Sequence, residues 1–169
     1  MSYVVKYVLL NILVPLIPHP KMRSRCLRLL GAKIGCGVRI ENVRFIQVQG
    51  RISNFECADG VFIGSGVTID LSARLSIGLH SIVSPGCSLI THQDFGDFNG
   101  NAVARLYPRK YSPVTIGDNV VIGCDTTVLA GSEIEGFAVV GAKSLVRGRI
   151  PFNSLFAGAP ARFIRKLEN

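Results

Sequence analysis

The chain has 169 residues, 48% of them hydrophobic and 18% charged, which is enough for one buried core and too little for several domains. A net charge of +8 admits nucleic acid, anionic lipid or a phosphorylated small molecule as partner, and with no Trp to stack on bases nucleic acid is the weakest of the three. Five cysteines (26, 36, 57, 87 and 124) form no CxxC pair and no metal-ligand spacing, so they read as small buried fillers whose unpaired thiols suit a reducing cytoplasm.

In chain order, residues 3–18 (YVVKYVLLNILVPLIP) are apolar but broken by Lys6, Asn11, Pro15 and Pro18, too short and interrupted to span a bilayer. No small-residue cleavage site follows, which argues against a signal peptide. The favoured reading is a short helix capping the open end of the element that follows. Contact with a membrane face, aided by the basic KMRSR, is compatible with it. Residues 21–31 read as a helix ending at Gly31.

An aliphatic residue then recurs every six positions, at Ile34, Ile40, Ile46 and Ile52. The phase slips between Ile52 and Ile63 and again between Ile69 and Ile77, as corner bulges would make it. It resumes through Val83 and Leu89. Leu89 and Ile116 are 27 apart, so about 21 residues (93–113) leave the repeat and return in register; loops this long inside a compact domain are usually functional. From Ile116 the period is unbroken through Ile122, Val128, Ile134, Val140 and Val146, with a small or short residue in each fifth place (Val120, Thr126, Ser132, Ala138, Ser144).

A period of six scatters over three sides of an α-helix at about 100° per residue, and strand alternation does not explain Gly and Asp or Asn once per hexad. A triangular coil explains both. Three hexads make one turn, residues 18 apart stack roughly 4.8 Å apart, and the small fifth residue fits inside each corner. The predicted contacts are Ile116 with Ile134, Ile122 with Val140 and Val128 with Val146. After Pro151 the tail reads as an extended segment, a Gly/Pro turn (GAPA) and a short basic helix.

The run IGDNVVIGCDTTVLAGSEIEGFAVVGAKSLVRGRIP resembles the hexapeptide-repeat acyltransferases, and the resemblance extends over about residues 34 to 169. It implies an all-β fold, a left-handed parallel β-helix of about five coils with short N- and C-terminal helices. It also implies a division into a cap (1–33), the coil with its external loop at 93–113 (34–150) and a C-terminal extension (151–169). By resemblance the chain is a homotrimer with sites between subunits, using acetyl-CoA as co-substrate and no metal.

The same resemblance assigns roles. His92, in LITHQDF at the mouth of the excursion, is the general base that deprotonates an acceptor hydroxyl or amine. Imidazole suits the task because its ordinary pKa is about 6.5. Asp94, nearest in sequence, and Asp70, about one coil below, are both candidates to hold the second ring nitrogen. The amides of Gly123 and Cys124 are candidate oxyanion donors. Coenzyme A is expected along the coil at Ala142, with cations at Lys143, Arg147, Arg165 and Lys166. Arg147-Gly148 stands where the family often has Thr-Lys, and Val121 where it often has Trp; both depart from the enzymes that acetylate free sugars. The leader ending in LLGAKIG is closer to transferases acting on surface-polysaccharide sugars, with a small-molecule or lipid-linked sugar as acceptor. The expected setting is the cytoplasm, with contact at the inner membrane face open to the N-terminus.

Two other classes fit these residues less well. A zinc hydro-lyase of the γ-type carbonic anhydrase kind needs three His, two of them five apart, and the residues five from His92 are Cys87 and Asp97. His19, between prolines, reads as exposed, and His80 as a turn residue. A non-catalytic scaffold would need neither His92 nor the excursion.

Overall fold

The computed structural model describes residues 2–94 and 102–168. The hexads form strands of two to four residues that stack in parallel on three faces. The first face runs from Lys33–Ile34 through Phe55–Cys57, Leu75–Ile77, Val114–Ile116 and Glu133–Ile134 to Arg149–Ile150. The second runs from Arg39–Ile40 through Phe62–Ile63, Ile82–Val83, Val121–Ile122 and Val139–Val140 to Ser154–Ala157. The third runs from Arg44–Ile46 through Thr68–Asp70, Ser88–Leu89 and Thr127–Val128 to Leu145–Val146. The β-solenoid therefore has about six turns, one more than expected, because the chain continues past Pro151 to lay Leu155 and Phe156 on Val139 and Val140.

The predicted stacking is present: Ile116 pairs with Ile134, Ile122 with Val140 and Val128 with Val146, all six buried. Burying each such side chain contributes about 1.5–3 kcal/mol. The small fifth residues are buried in the corners, where their hydroxyls bond carbonyls that would otherwise be orphaned: Thr126 Oγ1 donates to Gly141 O (3.0 Å) and Ser144 Oγ to the same oxygen (2.7 Å). The place before each rung strand tends to take up left-handed backbone. Asn119 (φ 55°), Phe137 (φ 56°) and His80 (φ 56°) occupy it on one corner, so His80 is the turn residue expected of it.

Three expectations are corrected. In the first coil the inward residue is Phe45, stacked on Ile69, while Ile46 is only half-buried; Cys57, not Ile52, carries the next rung, against Ile77. Ile52 instead opens a 3₁₀ turn (Ile52–Asn54) at a widened corner, and Phe45 fills the space beside Phe55 (centroids 5.9 Å). The C-terminal segment is not a helix: Arg162–Lys166 is a strand antiparallel to Ser154–Ala157. Gly158 (φ 99°) and Pro160 turn the chain back onto an edge whose backbone groups need partners, and Phe163 and Ile164 suit a strand. Only Cys57 and Cys87 are buried fillers; Cys26 is half-buried, and Cys36 and Cys124 are exposed because they follow a corner Gly and point outward.

Helix α1 (Tyr3–Val8) continues as a π-helix over Leu9–Leu13 and covers the open end of the first coil. The Asn11 side chain receives the Phe45 N–H (2.8 Å) and donates to the Phe45 carbonyl (3.0 Å), as a neighbouring strand would. Helix α2 (Pro20–Leu29), capped by His19 Nδ1 accepting from the Lys21 N–H, buries Arg23, Ser24 and Leu27 against the same coil.

The three faces differ on the outside. Outward residues of the first face are polar or charged: Lys33, Glu56, Ser76, Thr115, Glu133, Arg149. On the third they are Arg44, Thr68, Ser88, Thr127 and Leu145. On the second, Phe62, Ile82, Val121, Val139 and Leu155 form an apolar ladder over five successive coils.

Candidate active site

The three insertions into the hexad period, at 47–54, 71–74 and 90–113, fall on the corner between the third and first faces. At the last of them the chain leaves the coil as a two-stranded antiparallel ribbon, His92–Gln93 against Lys110–Tyr111, with a short helix α3 (Ala102–Leu106) beyond it. Residues 95–101 of the expected excursion lie outside the described residues. His92 thus stands at the stem of the ribbon, beside the third face.

Its ring is held from below. Nδ1 lies 2.5 Å from Asp70 Oδ2, and Asp70 is fully buried. The same carboxylate accepts the Thr91 N–H (2.7 Å), the Ser72 N–H (2.9 Å) and the Ser72 hydroxyl (2.7 Å). Burial pushes the Asp70 carboxyl up, but the bonds from His92, Ser72 and Thr91 outweigh it and hold the group below its ordinary value. An ionised acceptor on Nδ1 places the proton there, so in the neutral ring Nε2 carries the lone pair. Nε2 faces the Gln47 side-chain nitrogen at 3.4 Å, and Gln47 in turn accepts from Gln49 Nε2.

Of the two candidate carboxylates, then, Asp70 is the one brought to the ring; Asp94 pairs with Arg109 across the ribbon at 2.5 Å. Gln47 was not foreseen. It lies two coils below His92 in backbone of φ 52°, and nothing in the sequence marks it.

His92, Gln93, Leu129, Ala130, Leu145, Arg147 and Pro160 line a groove of about 560 Å³. Arg147 is therefore brought to His92. Gly123, Cys124, Ala142 and Lys143 are stacked on one another at the other end of the third face: the Lys143 N–H donates to Cys124 O (2.8 Å). A Cβ on Gly123 would lie 2.5 Å from Ala142 N, so the coil spacing there requires Gly. The Gly123 N–H is spent on Val140 O (2.8 Å) and is not an oxyanion donor. The N–H groups of Cys124 and Ala142 have no partner among the described residues. Lys143 is exposed, 3.7 Å from Asp125. Arg165 and Lys166 lie opposite Leu155 and Ser154, at the far end of their strand pair from the Gly158–Ala161 turn. The cation beside that turn is Arg162, opposite Ala157. Among the described residues no three His, Cys, Asp or Glu side chains gather as a metal site.

This architecture recurs in known proteins. A hexapeptide-repeat containing acetyltransferase of Vibrio cholerae superposes with a TM-score of 0.84 at 22% identity, covering 98% of this chain and 90% of that one. A maltose O-acetyltransferase of Clostridium difficile is 28% identical, with a TM-score of 0.75 over 98% of this chain and 84% of that one. In fold and repeat the chain is similar to the hexapeptide-repeat acetyltransferases. It is 34% identical over 119 residues to WbbJ of Escherichia coli, a protein named for O-acetyl transfer in lipopolysaccharide biosynthesis; the match takes in 66% of this chain and 60% of WbbJ's length. No family model matches the chain. The Vibrio acetyltransferase has also been solved in complex with acetyl coenzyme A.

Proposed function

We propose that the chain is an acetyl-CoA-dependent O-acetyltransferase with His92 as general base, acting on a sugar of a surface polysaccharide or its precursor. The observation that carries the reading is the buried Asp70 bonded to Nδ1 of a His92 ring that lines the groove. Acetyl-CoA, when bound, supplies a thioester carbonyl for a hydroxyl to attack. Asp70 keeps the proton on Nδ1 and orients the ring, and Nε2 takes the acceptor's proton as its oxygen attacks. The imidazolium so formed rests against an ionised carboxylate and returns its proton to the departing sulfur. Gln47 marks the place of the acceptor hydroxyl, which displaces a long 3.4 Å contact.

The groove suits a long anionic co-substrate. Its walls are apolar at Leu129, Leu145 and Pro160, and the open N–H groups of Cys124 and Ala142 can bond an extended amide chain along residues 123–147. Arg147 and Lys143 flank that path, and Arg162, Arg165 and Lys166 supply cations for its phosphates. The names of WbbJ and of the clostridial maltose enzyme support a sugar acceptor. The apolar ladder on the second face supports a homotrimer, since water against five stacked apolar residues is unfavourable and a second copy offers the same surface in register. Free thiols at all five cysteines suit a cytoplasmic setting.

The test is thiol release from acetyl-CoA with a panel of sugars and sugar nucleotides. Acceptor-dependent release that fails in His92→Ala supports the reading. Release that is independent of acceptor, or equal in the variant, counts against it.

A further inference from the structure

The N-terminal helix is turned inside out. Between Tyr3 and Ile17 the only polar side chains besides the Tyr3 and Tyr7 hydroxyls are Lys6 and Asn11, and both are spent on the protein: Lys6 Nζ on Gly50 O (3.1 Å) and Asn11 on Phe45. Its exposed side chains are apolar, among them Val4 (67%), Ile12 (48%), Leu13 (48%) and Leu16 (73%). Helix α2 beside it buries Arg23 and Ser24 and leaves Met22 and Leu29 (89%) exposed among Lys21, Arg25 and Arg28. A helix in water places its polar residues outward, so this end of the solenoid is built for an apolar neighbour.

The charge at this end identifies the neighbour. Residues 1–40 contain seven Lys and Arg and no Asp or Glu, nearly all of the net +8. Of the acids nearby, Glu41 and Glu56 are taken by Arg23 (3.4 Å) and by Lys33 (2.7 Å), and Asp59 accepts the Cys36 N–H (2.7 Å) at the Gly35–Gly37 corner. Lys21, Arg25 and Arg28 have no carboxylate partner among the described residues. They line a cleft of about 290 Å³ between α2 and the Gly35–Gly37 corner. A second copy docked here would set cation against cation. A sheet of phosphate groups over hydrocarbon matches both features. No helix among the described residues is long and apolar enough to cross a membrane, so the contact is interfacial.

We infer that the capped end of the solenoid docks on the surface of an anionic phospholipid bilayer, with Val4, Ile12, Leu13 and Leu16 entering the interface and Lys21, Arg25 and Arg28 meeting lipid phosphates. The inference stands apart from the transferase reading, and its test needs no substrate. The whole chain is floated with vesicles of phosphatidylcholine alone and of phosphatidylcholine with phosphatidylglycerol. It rises with the anionic vesicles only, and less so as salt is raised. Lys21→Glu with Arg25→Glu weakens binding by about 30-fold or more, at roughly fivefold per basic residue. Leu16→Ser with Val4→Ser weakens it by about tenfold or more. Circular dichroism and oligomeric state stay as in the parent chain. Equal binding to neutral vesicles, no binding to either, or binding unmoved by both pairs of changes would overturn it. So would dissociation of the oligomer by Leu16→Ser, which would give the apolar face to a second copy.

Discussion

The coils from Val114 to Ile150 and the corner that holds His92 are built on opposite rules. From Ile116 to Val146 each side of each turn repeats the same six places, and the buried polar side chains (Thr126, Ser132 and Ser144) spend their hydroxyls on carbonyls of the coil itself. At the corner the period takes three insertions, and side chains from three coils, Gln47, Asp70 and His92, converge. A residue inside the hexad frame either fills the core or stands on a flat face. An insertion lets the chain run back on itself, as His92–Gln93 does against Lys110–Tyr111, and so aims a ring along a face that the regular coil keeps rigid. Regularity supplies the frame, and its interruption supplies the chemistry.

The largest expected effect separates the two regions by activity. His92→Ala lowers kcat by about 10²–10⁴-fold while leaving coenzyme A affinity unchanged, checked by thiol release and calorimetry. Asp70→Asn follows with a loss of about 10- to 10³-fold in kcat, because the ring keeps a neighbour but not a charge to balance the imidazolium. Asp94→Asn leaves kcat near that of the parent chain. A ranking in which Asp94 outweighs Asp70 would sink the assignment.

A change in the regular coils acts on stability alone. Ile122→Ala lowers unfolding free energy by about 2–5 kcal/mol in urea titration, and the folded fraction keeps its kcat. Asp70 also affects stability, in a pH-dependent way. Its carboxyl is held below the ordinary value, so its contribution is complete above that value and is lost as pH falls through the depressed one. The melting temperatures of the parent chain and Asp70→Asn should therefore differ most near neutrality and converge below about pH 4. The smallest effect is expected at the exposed end. Arg165→Glu with Lys166→Glu weakens coenzyme A binding by roughly two- to fivefold and lowers its salt dependence, read by calorimetry at two ionic strengths.

The period of six, by itself, determined the coil and, from Ile63 onward, its core and its stacking, because an aliphatic residue every sixth place can be buried continuously only if three short strands close a turn. The same period carried the small corner residues and placed His92 where the repeat lets go. The tail was misread because a strand over Arg162–Lys166 forms against a sheet edge that exists only after the sixth turn is laid down.

The partner of His92 was likewise a tertiary matter. Two residues along an extended strand are about 6.8 Å apart, whereas neighbouring coils are about 4.8 Å apart. Asp70 in the coil below therefore reaches the ring, while Asp94 finds Arg109. Gln47 is brought to the site by two coils of stacking. The inside-out N-terminus was legible only as an apolar stretch; which side Lys6 and Asn11 face is decided by the open strand edge they cover. Local spacing determines what can repeat, and distance between coils determines which side chains meet.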